Sequence, residues 1–261
     1  MNRQKGFTII EVLMFVAVSA LLLAGVMAGI STNLNNTRFL SSTKSLENYL
    51  QKQFDDVQAG VFQRSAGATC TVGSGTPEPP GASDDCVVIG KVVRFTDKYM
   101  LVFSVMATTD SYPPSCVDST DSDPLRIACY KPTTISSQNG KVDVAHYDYQ
   151  WGATIASGSK LQLNGSDADA NTLAILRSPA TGNMYTFSFN LPGYTLSQPT
   201  QGRALYNGDI SQQNLNRPSV LCLKAESLVP RQSYIYVTGG LGADAVRSGD
   251  NMHDLPGGLS C

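Results

Sequence analysis

The hydrophobic pattern divides the chain near residue 38. From residue 7 to residue 30 apolar positions are almost continuous, interrupted only by Thr8, Glu11, Ser19, Gly25 and Gly29, and no charge lies between Glu11 and Arg38. About 20 apolar residues suffice to cross the hydrocarbon core of a bilayer as a helix, so this run predicts a membrane-spanning helix. The stretch 31–37 is polar and rich in side chains that compete for backbone hydrogen bonds, which predicts a local bend or melted turn. Beyond it the period is helical again. Phe39, Leu46, Leu50, Phe54 and Val57 form a stripe with Tyr49 beside it, and Lys44, Glu47, Asn48, Gln51, Lys52 and Asp55 fill the other face. Such an amphipathic continuation, over 31–62, buries its stripe against another element. Gly60 and residues 63–67 end it.

The pattern then changes. Residues 63–86 are dominated by Gly, Ser, Thr, Ala and Pro without periodicity, which predicts a long surface loop. Strand signals follow, rich in Val, Ile, Phe and Tyr. Residues 87–95 and 99–108 flank Thr96-Asp97-Lys98 as a hairpin. A short strand is expected over 127–130 and one strand over 143–155. Residues 173–177 and 184–191 form a second hairpin, and 219–225 and 233–238, flanking Pro230, a third. The Gly-rich tail 239–261 reads as irregular. One long helix followed by about seven short strands is an α+β arrangement, with 63–261 as the globular, β-rich part.

Composition sharpens this picture. Only 15% of the 261 residues are charged, below the ~25% of ordinary soluble domains, yet 42% are hydrophobic, which argues against a disordered chain. The formal net charge of −2 argues against wholesale nucleic-acid binding. Arg3 and Lys5 precede the apolar run, which predicts a single-pass protein with its N-terminus in the cytoplasm and the rest outside. A secretory signal cut after Ala28 would have a shorter apolar core and no carboxylate near its start. A plain anchor leaves Glu11 unexplained, because an intramembrane carboxylate costs a few kcal/mol or more unless paired.

The sequence Lys5-Gly6-Phe7-Thr8-Ile9-Ile10-Glu11-Val12 resembles the class III signal of type IV prepilins: a short basic leader ending in Gly, then Phe, then an apolar helix with Glu four residues after Phe. The resemblance implies that residues 1–6 are a leader peptide. A prepilin peptidase would cut between Gly6 and Phe7 and methylate the new Phe7 amine. It also implies a pilin-like fold, in which residues 7–30 form the membrane and assembly helix and its continuation packs on an antiparallel sheet. Glu11 would then pair with the N-terminal amine of a neighbouring subunit, which agrees with the need of a buried carboxylate for a cation. The segments 219–224, 233–238 and 242–247 resemble the C-terminal part of the GspH/FimT-type minor pilin domain, although the Gly-Arg ending is absent. Some members of that group bind DNA.

Six cysteines in a chain exported past a membrane predict a disulfide framework with long stapled loops. Pairing sequence neighbours gives Cys70–Cys86, Cys116–Cys129 and Cys222–Cys261, one of the fifteen connectivities open to six cysteines. No Cys-x-x-Cys exists, and no cofactor or dedicated metal site is expected. Asp167, Asp169 and Asn171 imitate the start of a calcium loop, but Thr172 stands where an EF-hand needs Gly and Ser178 where it needs Glu. A Ca²⁺ ion there is the minor alternative, and Asp118, Asp121 and Asp123 read as a solvated loop. No Gly-x-Ser-x-Gly, His-Glu-x-x-His or Walker A sequence is present, and residues 240–245 imitate a dinucleotide fingerprint with no second strand to complete it. His146, among Tyr147, Tyr149 and Trp151, has no acid–base partner in the sequence, and no enzyme activity is expected. Arg217, Lys224, Arg231 and Arg247 form the one candidate DNA strip. Removing Arg3 and Lys5 with the leader takes the net charge to −4 and weakens that reading.

The expected function is a structural subunit, major or minor, of a bacterial type IV pilus or related filament serving adhesion, motility, DNA uptake or secretion. Its expected partners are other pilin subunits in a helical filament, prepilin peptidase, the inner-membrane assembly platform and, before assembly, the membrane itself. The precursor would reside in the inner membrane, and the product in an extracellular filament or periplasmic pseudopilus. Two alternatives are a secreted or anchored adhesin-like binding domain with a conventional signal, and a DNA-binding competence minor pilin.

Overall fold

The computed structural model describes residues 8–61, 68–69, 86–108, 133–134, 136–137, 144–156, 161–163, 170–178, 181–190, 215–225, 231–239, 244–250, 255 and 261. Its first element is a single helix, α1 (Ile9–Gln58). No bend interrupts residues 31–37, contrary to the expectation from their composition. The hydroxyls that compete with the backbone are turned inward instead: Thr32 Oγ1 donates to the Ala28 carbonyl at 3.0 Å and Thr37 Oγ1 to the Asn33 carbonyl at 3.0 Å. Back-bonding of this kind satisfies the side chain while leaving the ladder unbroken. The helix ends in a Schellman motif. Gly60 has φ +70°, its N–H donates to the Val57 carbonyl and the Val61 N–H to the Asp56 carbonyl. Glycine takes this left-handed position at no steric cost.

The strands form two main sheets. In the first, β2 (Cys86–Phe95) and β3 (Tyr99–Thr108) make one antiparallel hairpin and β9 (Thr172–Arg177) and β10 (Met184–Phe189) another. β2 pairs with β9, so the order is β10-β9-β2-β3, with β4 (Thr133–Thr134) and β6 (Val144–Asp148) sharing the outer edge of β3. A bulge between Val88 and Gly90 interrupts the β2–β3 register. A Cβ on Gly90 would lie 2.1 Å from the Ile175 carbonyl oxygen, so only glycine fits this close approach of two backbones. The second sheet has β12 (Gln232–Val237) between β11 (Ser219–Ala225) and β13 (Val246–Gly249), with β7 (Ala153–Ile155) and β8 (Leu161–Leu163) sharing the far edge of β11. A small ladder joins β1 (Ala68–Thr69) to β5 (Ser136–Ser137).

Two strand expectations need correction. The segment 143–155 is not one strand: β6 ends at Asp148 and β7 begins at Ala153, in the other sheet. Between them the Ala153 N–H donates to the Gln150 carbonyl at 3.1 Å, and Trp151 and Gly152 have φ of 57° and 68°. Positive φ at both central residues makes a tight reversal that alternation along the segment does not reveal. The tail is also not wholly irregular, because β13 adds to β12 as an edge strand. Val-Arg-Ser-Gly carries little strand propensity, and the pairing is tertiary in origin. The strand expected over 127–130 lies outside the described residues.

The stripe of α1 packs against both sheets at once. Phe39, Leu46, Leu50, Phe54 and Val57 join Val93, Phe95, Met100, Leu173 and Ile175 of the first sheet and Leu221, Leu223, Ile235 and Val237 of the second in one core. A second core lies on the opposite face of the first sheet, around Phe103, Leu176 and Phe187.

The polar face of α1 is partly engaged. Gln51 Oε1 accepts the Val246 N–H at 3.2 Å, and Ser248 Oγ donates to Glu47 Oε2. These contacts dock β13. Thr43 Oγ1 and Ser233 Oγ lie 2.8 Å apart in a buried pair. Lys91 of β2 is 3% exposed, and its ammonium meets Asp56 Oδ2 at 2.6 Å and Gln53 Oε1 at 3.0 Å on the helix. Removing one partner of a buried pair strands the other charge, at about 3–5 kcal/mol in full burial. Asp56 is partly exposed, so Asp56→Ala should cost about 2 kcal/mol in urea unfolding. The double change Asp56→Leu/Lys91→Met should recover most of it. An unaltered midpoint in Asp56→Ala would show that the pair does not hold the helix.

Candidate functional site

The chemistry anticipated at the N-terminus begins at the first turn of α1. Thr8 is the N-cap. Its backbone N–H donates to Glu11 Oε2 at 3.0 Å, its hydroxyl donates to the same oxygen at 3.1 Å, and the Glu11 N–H donates back to Thr8 Oγ1 at 3.4 Å. This is a capping box, in which two otherwise unpaired N–H groups at the helix start are satisfied reciprocally. A carboxylate in the first turn also lies at the positive end of the helix dipole. Glu11 therefore has a partner in its own chain, besides the neighbouring subunit's amine that the resemblance implies, and the sequence reading did not name it. The signal was present in the sequence, since Thr8-x-x-Glu11 before an apolar run is the capping-box pattern. Gly6 and Phe7 lie outside the described residues.

From Ile9 onward the side chains of the apolar run are exposed, through Ile30 and on to Asn35. This is the one helix among the described residues long and apolar enough to cross a membrane. The same helix is thus divided in two by its surroundings: the first half exposes a continuous apolar surface, and the second half buries its stripe under two sheets. Exposed leucines, valines and phenylalanine on this scale mark a surface that meets lipid or other protein.

Of the anticipated disulfides, Cys222 and Cys261 are joined, with Cα atoms 5.4 Å apart. Cys222 lies on the outer face of β11, where Val220 and Tyr234 form a small cluster completed by Tyr236, Leu255 and Cys261. The bridge holds the chain terminus across that face. Cys70, Cys116 and Cys129 lie outside the described residues, as does the side chain of Cys86.

The remaining candidates are dispersed. Asn171 Oδ1 accepts the Thr172 hydroxyl at 2.7 Å, and the Asn171 backbone bonds Phe95 and Phe189, while Asp167 and Asp169 lie outside the described residues. Among the described residues no group of three His, Cys, Asp or Glu side chains could hold a metal ion. Lys224 and Arg231 lie at the turn end of the β11–β12 hairpin. Arg217 precedes β11 at its other end, about 20 Å away at 3.3 Å per residue. Arg247 lies opposite Tyr236, and its guanidinium is 3.3 Å from Asp244. The four cations do not form a compact strip. His146 stacks at 4.8 Å on Tyr99 and has Asp148 at 3.5 Å. The neighbouring hydroxyls of Tyr49, Tyr147 and Tyr149 are held above the usual tyrosine range, in each case chiefly by burial, so they stay neutral.

Residues 1–27 match the family model of the prokaryotic N-terminal methylation motif. No curated protein and no solved structure matches the chain. The matched residues cover the basic leader, Gly6, Phe7, Glu11 and most of the exposed apolar half of α1, while the α+β head behind them has the pilin-like layout of one long helix on antiparallel sheets. Over residues 1–27 the chain carries the class III prepilin signal of type IV pilins and pseudopilins, in front of a head with a pilin-like layout.

Proposed function

We propose that this chain is a filament subunit, made as an inner-membrane precursor, cut between Gly6 and Phe7 and assembled through the first half of α1. The observation that carries the reading is the methylation motif running without a break into a helix whose first half is exposed and apolar and whose second half is locked to the head. A helix of this kind stays in lipid until other helices replace the lipid, so removal from the membrane and packing in a filament are one exchange of apolar surroundings. Glu11 sets the register in this exchange. Its carboxylate has acceptor capacity beyond the Thr8 contacts, and cleavage at Gly6 places a new ammonium four residues before it on a neighbouring subunit. A buried carboxylate and ammonium that find each other remove the cost of burying either alone. Prepilin peptidase and an inner-membrane assembly platform are the partners this route requires. A structural role, without catalysis, follows from the same motif.

Sequencing the mature protein from cells should return Phe7 as the N-terminal residue, methylated. Glu11→Ala should still be processed and membrane-held but should lose incorporation into filaments, read as the fraction recovered in a sheared surface or periplasmic filament preparation. A mature N-terminus near Gly29, or an uncut Met1, would instead mark an anchored or secreted binding domain with a conventional signal. Filament recovery equal to wild type in Glu11→Ala would remove the register role. Whether the filament is a pilus, a competence filament or a secretion pseudopilus is decided by the same preparation in strains lacking each assembly ATPase.

A further inference from the structure

The single tryptophan of the chain occupies an unusual place. Trp151 has φ 57°, a conformation that costs a bulky side chain energy unless the surroundings hold it, and the residue is 58% exposed. The tight turn imposes this backbone, and α1 meets the ring: the Arg38 guanidinium lies 5.1 Å from the ring centroid. A strained backbone that keeps a large aromatic ring in solvent serves no purpose in the core. Arg38 is the first charge after the apolar run. It lies eight residues beyond Ile30, about 12 Å along an unbroken helix at 1.5 Å per residue, and its side chain leans back toward the N-terminus and the bilayer. The interval is filled by Ser31, Thr32, Asn33, Asn35, Asn36 and Thr37 around Leu34. At about 12 Å the Arg38 backbone lies past the roughly 5–8 Å headgroup layer on each side of the hydrocarbon core, and its long side chain, leaning back, spans the difference.

Resting on the membrane-held precursor of the proposed function, we infer that Trp151 and Arg38 form an interfacial anchor that seats the head on phospholipid headgroups, with Arg38 binding the lipid phosphate. Tryptophan and arginine are the side chains that mark this depth: the indole has an apolar body with one polar edge, and the guanidinium pairs with phosphate oxygens through its fork of N–H donors. Because Arg38 belongs to the helix and Trp151 to the turn between the two sheets, the pair fixes the height and tilt of the head relative to the span. Asp148, 75% exposed at the end of β6, is the nearest described opposing charge on that strand. It favours zwitterionic headgroups, whose ammonium it can meet, over a wholly anionic surface.

Because Trp151 is the only indole, its fluorescence reports this site alone. The full chain is reconstituted in vesicles of phosphatidylethanolamine and phosphatidylglycerol, with and without a fraction of headgroup-nitroxide lipid, and insertion is read separately by flotation in alkaline carbonate. Inserted protein with Trp151 emission strongly quenched by the nitroxide, shielded from aqueous iodide, and partly released from quenching in Arg38→Gln is the result expected. Inserted protein with no nitroxide quenching overturns the anchor and leaves the membrane-held precursor standing. If iodide shielding then rises with protein density, the occupant of the patch is a second copy of the chain. Quenching unchanged in Arg38→Gln overturns the pairing. Failure to float overturns both the anchor and the membrane-held precursor.

Discussion

Phe54→Ala should destabilise the head by about 3–5 kcal/mol, the range for removing a fully buried phenylalanine from a packed core. Phe54 is among the largest fully buried side chains, 2% exposed, on the helix stripe that meets both sheets. Truncation leaves a cavity in the core that the helix shares with both sheets, and the packed strands around it collapse only partly to fill it. Leu21→Ala, on the same helix but in its exposed half, is the control and should leave head unfolding unchanged, because Leu21 is not part of the core under the sheets. Urea unfolding of the full chain in detergent, followed by near-ultraviolet circular dichroism, measures both. Equal effects of the two substitutions would mean that the halves of α1 are not divided as described.

Loss of the Cys222–Cys261 bridge is the second large effect expected. The bridge closes a separation of 39 residues, and the chain-entropy relation for a loop of this size gives about 4 kcal/mol. For a head of this size that corresponds to a fall in Tm of roughly 10 °C. The alanine pair Cys222→Ala/Cys261→Ala is the right variant, because Cys222 is buried and a serine would add an unpaired hydroxyl. Release should be local at first: the chain end and Leu255 leave the outer face of β11 and β12 and expose Tyr234 and Tyr236. Proteolysis near the C-terminus before global unfolding reports this, and a Tm equal to that of the oxidised protein would show that the staple does not support the fold.

The parts of the fold legible in the sequence are those where a local period is strong. The helix stripe from Phe39 to Val57 and the hairpins of β2–β3, β9–β10 and β11–β12 are of this kind, because burial of one face imposes 3.6- or 2-residue spacing on the residues themselves. The elements misjudged lack such a signature. Residues 31–37 are poor helix formers by composition, yet they sit between two strongly helical stretches, and a helix already nucleated on both sides propagates through them. β13 has neither length nor propensity, and exists because β12 offers an open edge and Gln51 and Glu47 of α1 bind its outer side. The division of 143–155 depends on a turn that returns the chain to the other sheet, which no alternation of apolar residues encodes.

The candidate site divides in the same way. The methylation motif over residues 1–27, with Gly6, Phe7, Glu11 and most of the apolar run, is a pattern of consecutive residues, so the amino-acid sequence alone determined it. Contacts between distant segments were decided only by the tertiary structure. Lys91 against Asp56 and Gln53, Thr43 against Ser233, and Arg38 under Trp151 each join residues far apart in the chain, and nothing local distinguishes Lys91 from a solvated lysine. The physical reason is that a motif of consecutive residues and a continuous apolar run need no partner from elsewhere in the chain to be what they are. The docking of helix to sheets, and the ring held out beside Arg38, come into being only when burial has brought separate segments together.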